Sequence, residues 1–161
     1  MIHHPFPPLY DENSTILILG SFPSVKSREH RFFYGHPQNR FWTVTARVFG
    51  CEKPVTVEEK KAFLHANHIA LWDVIASCEI SGSSDSSIRN VTPNDLSPIL
   101  ENTKVSRIFV NGRAAQKYYD KYTRPLLDRE AVYLPSTSPA NAAWSIERLT
   151  DEWRKIILTN D

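Results

Sequence analysis

Four short apolar runs constrain this chain more than any other feature: TILILG at 15–20, IALWDVIA at 69–76, VSRIFVNG at 105–112 and AVYLPS at 131–136. Each is rich in β-branched or aromatic residues and stops at a small or polar one, which marks a buried strand. Strands covered on both faces read as continuous apolar runs when the sheet is parallel. Helical patterns fill the intervals. From Asn39 to Phe49, the residues Phe41, Trp42, Thr45 and Val48 gather near one face. TVEEKKAFLHANH opens on Thr56 as a cap with acids in its first turn, which suits the helix dipole. TPNDLSPILEN and RAAQKYYDKY are shorter. A final helix is predicted over 140–158, where Trp144, Ile146, Leu149, Trp153, Ile156 and Ile157 repeat at the helical period, and that spacing assigns its tryptophans to the core.

Strands alternating with helices require crossover connections, which predicts a three-layer α/β/α sandwich around a central, mainly parallel four-stranded sheet. A chain of 161 residues forms one domain, 1–161, with enough core to need no staples. Ligands of such folds bind beyond the carboxyl ends of the strands. The places to look are therefore GSFPS (20–24), WDVIASC (72–78), NGR (111–113) and PSTSPAN (135–141), all small or polar where the apolar runs stop.

Several chemistries are disfavoured. Neither GxGxxG nor GxxxxGK[ST] occurs, and there is no GxSxG elbow, so phosphate-cradling loops and the serine-hydrolase turn are not expected. His65 and His68 have a metal-ligand spacing without an evident third ligand, and no metal or other cofactor is expected. Cys51 and Cys78 form no CxxC pair and read as reduced thiols. His3 and His4 read as solvent-exposed and idle, and SGSSDSS at 81–87 as a mobile loop. The start MIHHPFPPLY lacks a basic-then-apolar layout, and no apolar run approaches the ~20 residues of a membrane span, so a monomeric cytoplasmic protein is expected, nucleoid-associated if prokaryotic.

The net charge of +1 is uninformative, but its distribution is not. Lys26, Arg28, Arg31 and Arg40 face the single acid Glu29 and interleave with Phe32, Phe33, Tyr34, Phe41 and Trp42. Aromatics beside cations are what unstacked bases and phosphates require. A second cluster, Arg113, Lys117, Lys121 and Arg124 with Asp120, reads as a solvated face.

GSFPS after the first strand, HPQNRFW at 36–42 and STSPAN at 136–141 together resemble the motifs of the uracil-DNA glycosylase superfamily. HPQNRFW is similar to the mismatch-specific uracil and thymine branch. FFYGHPQNRFW, LWDVIASCEISGSSDSSI and PSTSPANA look most like the hypoxanthine-DNA glycosylase branch. The resemblance runs from about 14 to 157 and implies a monofunctional glycosylase that flips a deaminated base, chiefly hypoxanthine, out of DNA and excises it by water attack at C1′. Phe22 stands where well-known uracil enzymes carry a water-positioning Asp or Asn, and Ser136 where they carry a His.

By that resemblance, Asn39 orients the water, and Gly20, Ser21, Phe22, Pro23 and Ser24 grip the base edge. Tyr34, or second Phe33, stacks on the base; both also suit a core. Asp73 reads a purine N–H or serves as a turn acid, Asn111 faces the pocket or makes a plain NG turn, and Asn39 equally suits a helix cap. Ser136, Thr137, Ser138, Pro139, Ala140 and Asn141 press on the DNA, where Ala140 or Asn141 replaces the bulky wedge of relatives, and Lys26, Arg28 and Arg31 contact phosphates. No lysine stands in a motif as a Schiff-base nucleophile, so no lyase activity is expected. The alternatives are a mismatch-type uracil or thymine glycosylase and a non-catalytic nucleic-acid-binding module.

Overall fold

The computed structural model describes residues 1–158. In chain order its elements are β1 (Ile2–His3), β2 (Ile16–Gly20), α1 (Val25–His30), α2 (Phe41–Phe49), α3 (Val57–Ala66), β3 (Ile69–Asp73), β4 (Ile75–Glu79), β5 (Arg89–Pro93), α4 (Ser97–Asn102), β6 (Arg107–Asn111), α5 (Arg113–Tyr118), α6 (Arg124–Leu127), β7 (Val132–Leu134) and α7 (Ile146–Trp153). The expected four-stranded sheet is present, wholly parallel, in the order β3-β2-β6-β7 and flanked by helices. Ile16 sits opposite both Ile69 and Arg107, and Phe109 opposite Val132. From β2 the chain first fills one side of the sheet with β3, then the other with β6 and β7. That reversal creates a switch point beyond the end of β2, where the flanking loops part and leave a crevice.

The sequence reading merged two strands into one. IALWDVIA breaks at Val74: Ile69–Asp73 stays in the parallel sheet, while Ile75–Glu79 joins a second, antiparallel sheet of order β1-β4-β5. At the break the chain still leans on the first loop, with Val74 N donating to Gly20 O at 2.8 Å and Ile75 N to Ser21 O at 3.0 Å. A residue run cannot reveal which sheet its hydrogen bonds serve. The N-terminus, expected to be idle, supplies β1 and an isolated Leu9–Leu71 bridge that covers the outer edge of β3, protecting an edge that would otherwise recruit other chains.

Local signals fared better. Thr56 caps α3 in a complete capping box with Glu59, and Phe63 and Leu64 bury its inner face. The final helix is shorter than predicted, because Ser145 caps it (its Oγ accepts from Arg148 N at 3.2 Å) and residues 140–144 remain in the preceding loop. Trp153 is fully buried as expected, its indole donating to Pro135 O at 2.9 Å and its face met edge-on by Phe41. Helix α1 was not anticipated, and RAAQKYYDKY continues through a π-helical turn, Tyr119–Thr123, into α6.

Candidate active site

The carboxyl ends of β2, β3, β6 and β7 open into one cavity of about 620 Å³. Gly20 to Ser24, Phe33, Tyr34, Asn39, Asp73, Asn111 and Ser136 to Asn141 all line it. Lys26, Arg28 and Arg31 do not. Lys26 is exposed beside Glu29 at 3.5 Å, and Arg31 borders a separate groove of about 250 Å³ next to Phe6–Tyr10. Arg28 has work inside the protein, donating to Pro23 O at 3.2 Å and Gly82 O at 3.0 Å while its guanidinium covers the Phe22 ring. Those bonds, with Val25 N to Ser83 Oγ at 2.9 Å and Ser21 Oγ to Asp85 at 3.3 Å, stitch the serine-rich loop to the first motif.

The aromatic segment is organised by its own polar members. Tyr34 has φ 50, a conformation costly for a non-glycine residue. It is held there because Trp42 Nε1 donates to its carbonyl at 3.1 Å and its ring stacks on Phe41 at 4.1 Å. Gly35 passes so close to α1 that a Cβ would stand 3.3 Å from Ser27 Cα, and its N–H donates to Ser27 Oγ at 2.9 Å. With one face on Phe41, Tyr34 carries its hydroxyl toward Gly20, where an added Cβ would stand 3.5 Å from it. That hydroxyl is buried without a partner among the described residues. Burial, then the Asp73 carboxylate, pushes the phenol far above its usual range; the Asn111 amide eases this only partly, since Thr137 holds both its polar atoms. Tyr34 is therefore a permanent donor at neutral pH. Phe33 is 3 % exposed and packs on Phe6 and Trp72, a core aromatic that borders the cavity. Phe22 is the half-buried ring on the wall.

The N-cap position of α2 belongs to Arg40, which makes no side-chain cap bond. Asn39 stands one residue before it, its Oδ1 accepting from Phe41 N at 2.9 Å in a local turn, and a second lone pair on that oxygen and the amide N–H groups remain for other partners. Asp73 is 4 % exposed. Its Oδ2 meets His4 Nε2 at 2.7 Å, and Oδ1 lies so close to Gly20 that a Cβ there would stand 2.4 Å from it and 3.5 Å from the Tyr34 hydroxyl. The expectation of an exposed, idle His4 is thus wrong: β1 pairing carries its ring inward, and only His3 is exposed. Asn111 is a latch, its Nδ2 donating to Thr137 Oγ1 at 3.0 Å and its Oδ1 accepting from Thr137 N at 3.1 Å.

Arg40 was read only as one charge in a cluster. It clamps the last loop, donating to the carbonyls of Trp144, Ser138 (3.4 Å) and Asn141 (2.9 Å), while its own N–H donates to Thr137 O at 3.0 Å. A charged hydrogen bond contributes ~1.5–3 kcal/mol. Arg40→Met is therefore expected to lower the melting temperature by about 4–8 °C and to speed proteolysis within 136–145, measured by limited digestion. Trp144, expected in the core, lines the cavity under Arg148, and Arg113, assigned to a solvated face, stands exposed at the rim over Tyr133. Ala140, Ala142 and Ala143 are exposed at the loop tip, which carries no large side chain. His65 is engaged with Asp11 at 3.1 Å and His68 is exposed in a left-handed turn.

Comparison with known proteins matches residues 7–159 to the family described as the Uracil DNA glycosylase superfamily. A protein named Hypoxanthine DNA glycosylase from Methanosarcina acetivorans is 38% identical over 161 residues, covering 97% of this chain and 98% of the relative. One of the same name from Methanosarcina barkeri is 34% identical over 142 residues, 84% and 86% of the two chains. Among solved structures, the solution NMR structure of a Methanosarcina acetivorans protein described as a candidate uracil DNA glycosylase superposes with a TM-score of 0.80 at 36% identity, covering 98% of this chain and 100% of that one.

Proposed function

The chain belongs to the uracil DNA glycosylase superfamily, and from that premise we propose that it excises deaminated bases, chiefly hypoxanthine, from DNA without a covalent enzyme intermediate. The observation that carries this is the pairing of a fixed donor with a fixed acceptor beside Gly20: the Tyr34 hydroxyl and Asp73 Oδ1. Deamination of adenine turns an amino group beside a bare ring nitrogen into a carbonyl beside a ring N–H. The Tyr34 donor matches the new carbonyl, the Asp73 acceptor matches the new N–H, and adenine presents the reverse order to both. Xanthine, uracil and guanine also offer a carbonyl beside an N–H. Guanine is disfavoured because its three-bond pair with cytosine costs more to open than a weakened inosine pair.

The target nucleotide leaves the stack and its base slides against Phe22, which returns ~1–3 kcal/mol by stacking. Asn39 holds a water near C1′ through its amide but accepts no proton, so the bond to the base breaks before water adds, and the proton the water gives up goes to the departing base anion. The Tyr34 donor then meets the negative charge that develops on the departing base, the kind of placed hydrogen bond that contributes most to such steps. The loop from Ser136 to Asn141 and Arg113 face the phosphates, with Lys26 and Arg31 assisting from the first motif's flank while Arg28 stays engaged with the loops. The protein acts on DNA; that it works as a single copy, at the nucleoid and without cofactor, completes the proposal. No helix among the described residues is long and apolar enough to cross a membrane.

The test is single-turnover excision on duplexes carrying hypoxanthine, xanthine, uracil, guanine or adenine, followed by alkaline cleavage. Hypoxanthine is expected to be cleaved fastest and adenine not at all, with no borohydride-trapped adduct. Uracil or thymine cleaved in preference would place the chain in the mismatch-type branch that HPQNRFW resembles. Binding to inosine-containing DNA without cleavage of any duplex would leave a binding module.

A further inference from the structure

We propose that His4 is a positioning residue of the base pocket, which holds the Asp73 carboxylate so that Oδ1 stays an acceptor turned to the cavity; this rests on the reading of Asp73 just given. The His4 side chain is 3% exposed and that of Asp73 5%. The ring lies among Phe6, Phe22, Phe33 and Trp72, with centroids 4.5, 6.0, 6.2 and 4.3 Å away, so among the described residues Asp73 is its one polar side-chain partner. A carboxylate only accepts, so the proton belongs on Nε2. Nδ1 is buried with no partner among the described residues. A proton there would have nothing to receive it, which makes a proton on Nε2 the arrangement that fits.

Placement of this ring is enforced by the backbone. His3 pairs with Ser77 in the second sheet, and His4 N donates to Ala76 O at 2.8 Å. On its other side Asp73 is fixed by its own strand, with Asn94 Nδ2 donating to its carbonyl at 2.8 Å. With Oδ2 engaged by His4, the carboxylate cannot rotate without leaving a buried N–H unpaired, and an unpaired buried donor is costly. Oδ1 is thereby aimed past Gly20. Without His4 the carboxylate turns freely, and the donor–acceptor order that distinguishes a deaminated base blurs. The N-terminal segment is in this way part of base selection, although it does not line the cavity.

The experiment compares wild type, His4→Leu and His4→Gln in the full chain, since Gln keeps an N–H donor and Leu does not. His4→Leu is expected to slow single-turnover excision of hypoxanthine by about 10- to 100-fold, the loss of one hydrogen bond to a charged group, with duplex affinity within about 2-fold, since the phosphate contacts lie elsewhere. His4→Gln is expected to recover most of the rate. If both variants lose rate only in step with melting temperature, or neither loses it, the proposal is overturned. Nitrogen-15 NMR of the histidine rings gives a readout independent of activity. The His4 resonances are expected to report the Nε2–H tautomer and to shift on adding free hypoxanthine but not adenine. Should wild type cleave no duplex, the proposed reaction fails while this spectrum still decides the role of His4: a resonance that ignores hypoxanthine overturns it.

Discussion

Replacing Asn39 by alanine is expected to slow hypoxanthine excision by about 100-fold or more, the scale on which misplaced reactants cost rate, while duplex binding changes little. The variant also loses the oxygen that accepts the Phe41 N–H at 2.9 Å. A lost hydrogen bond of this kind costs ~1 kcal/mol, or about 2–4 °C in melting temperature for a chain of this size. The two losses have different chemistry and can be separated. Serine closes the same kind of local turn but its hydroxyl sits closer to the backbone, so Asn39→Ser is expected to regain stability without regaining rate. Rate and melting temperature that rise and fall together across both variants would reduce Asn39 to a turn residue.

Gly20→Ala is expected to have a comparable effect from a different cause. A Cβ at this position would meet Asp73 Oδ1 at 2.4 Å, a separation that carbon and oxygen do not tolerate, and Asp73 cannot retreat because His4 holds its other oxygen at 2.7 Å. The carboxylate must therefore move, and a displacement near 1 Å is enough to lose about 100-fold in excision. Overpacking of this sort also costs ~1–3 kcal/mol. Duplex affinity, which the proposed function assigns to the last loop and Arg113 at the rim, is expected to stay within a few-fold. Single-turnover rates beside a binding titration distinguish these terms. A fully active Gly20→Ala would remove Asp73 from base recognition.

Much of the frame was legible because its causes are local. TILILG and VSRIFVNG announce buried strands by composition alone, Thr56 and Glu59 cap α3 within four residues of each other, and Trp153 follows the period of its own helix. The four strand ends could be named as the place to look because chain connectivity alone puts them on one side of the sheet. What escaped depended on partners far along the chain. His4 reaches Asp73 across 69 positions and Arg40 reaches Trp144 across 104; nothing near either residue announces the partner. Asn111 looked like a turn and proved a latch on Thr137, 26 positions away. Trp144 had the spacing of a core residue but lies before the cap at Ser145, in a loop whose course Arg40 dictates.

The division follows from the range of the forces. Periodicity, capping and strand composition act between neighbours in sequence, so the sequence by itself determined the four-stranded parallel sheet and the cluster of motifs at its carboxyl edge. Which atoms of those motifs face the cavity depends on hydrogen bonds and steric contacts closed only when distant segments meet. Tertiary structure alone decided that Tyr34 stacks on Phe41, that Arg28 serves the loops, and that the N-terminal His4 meets Asp73.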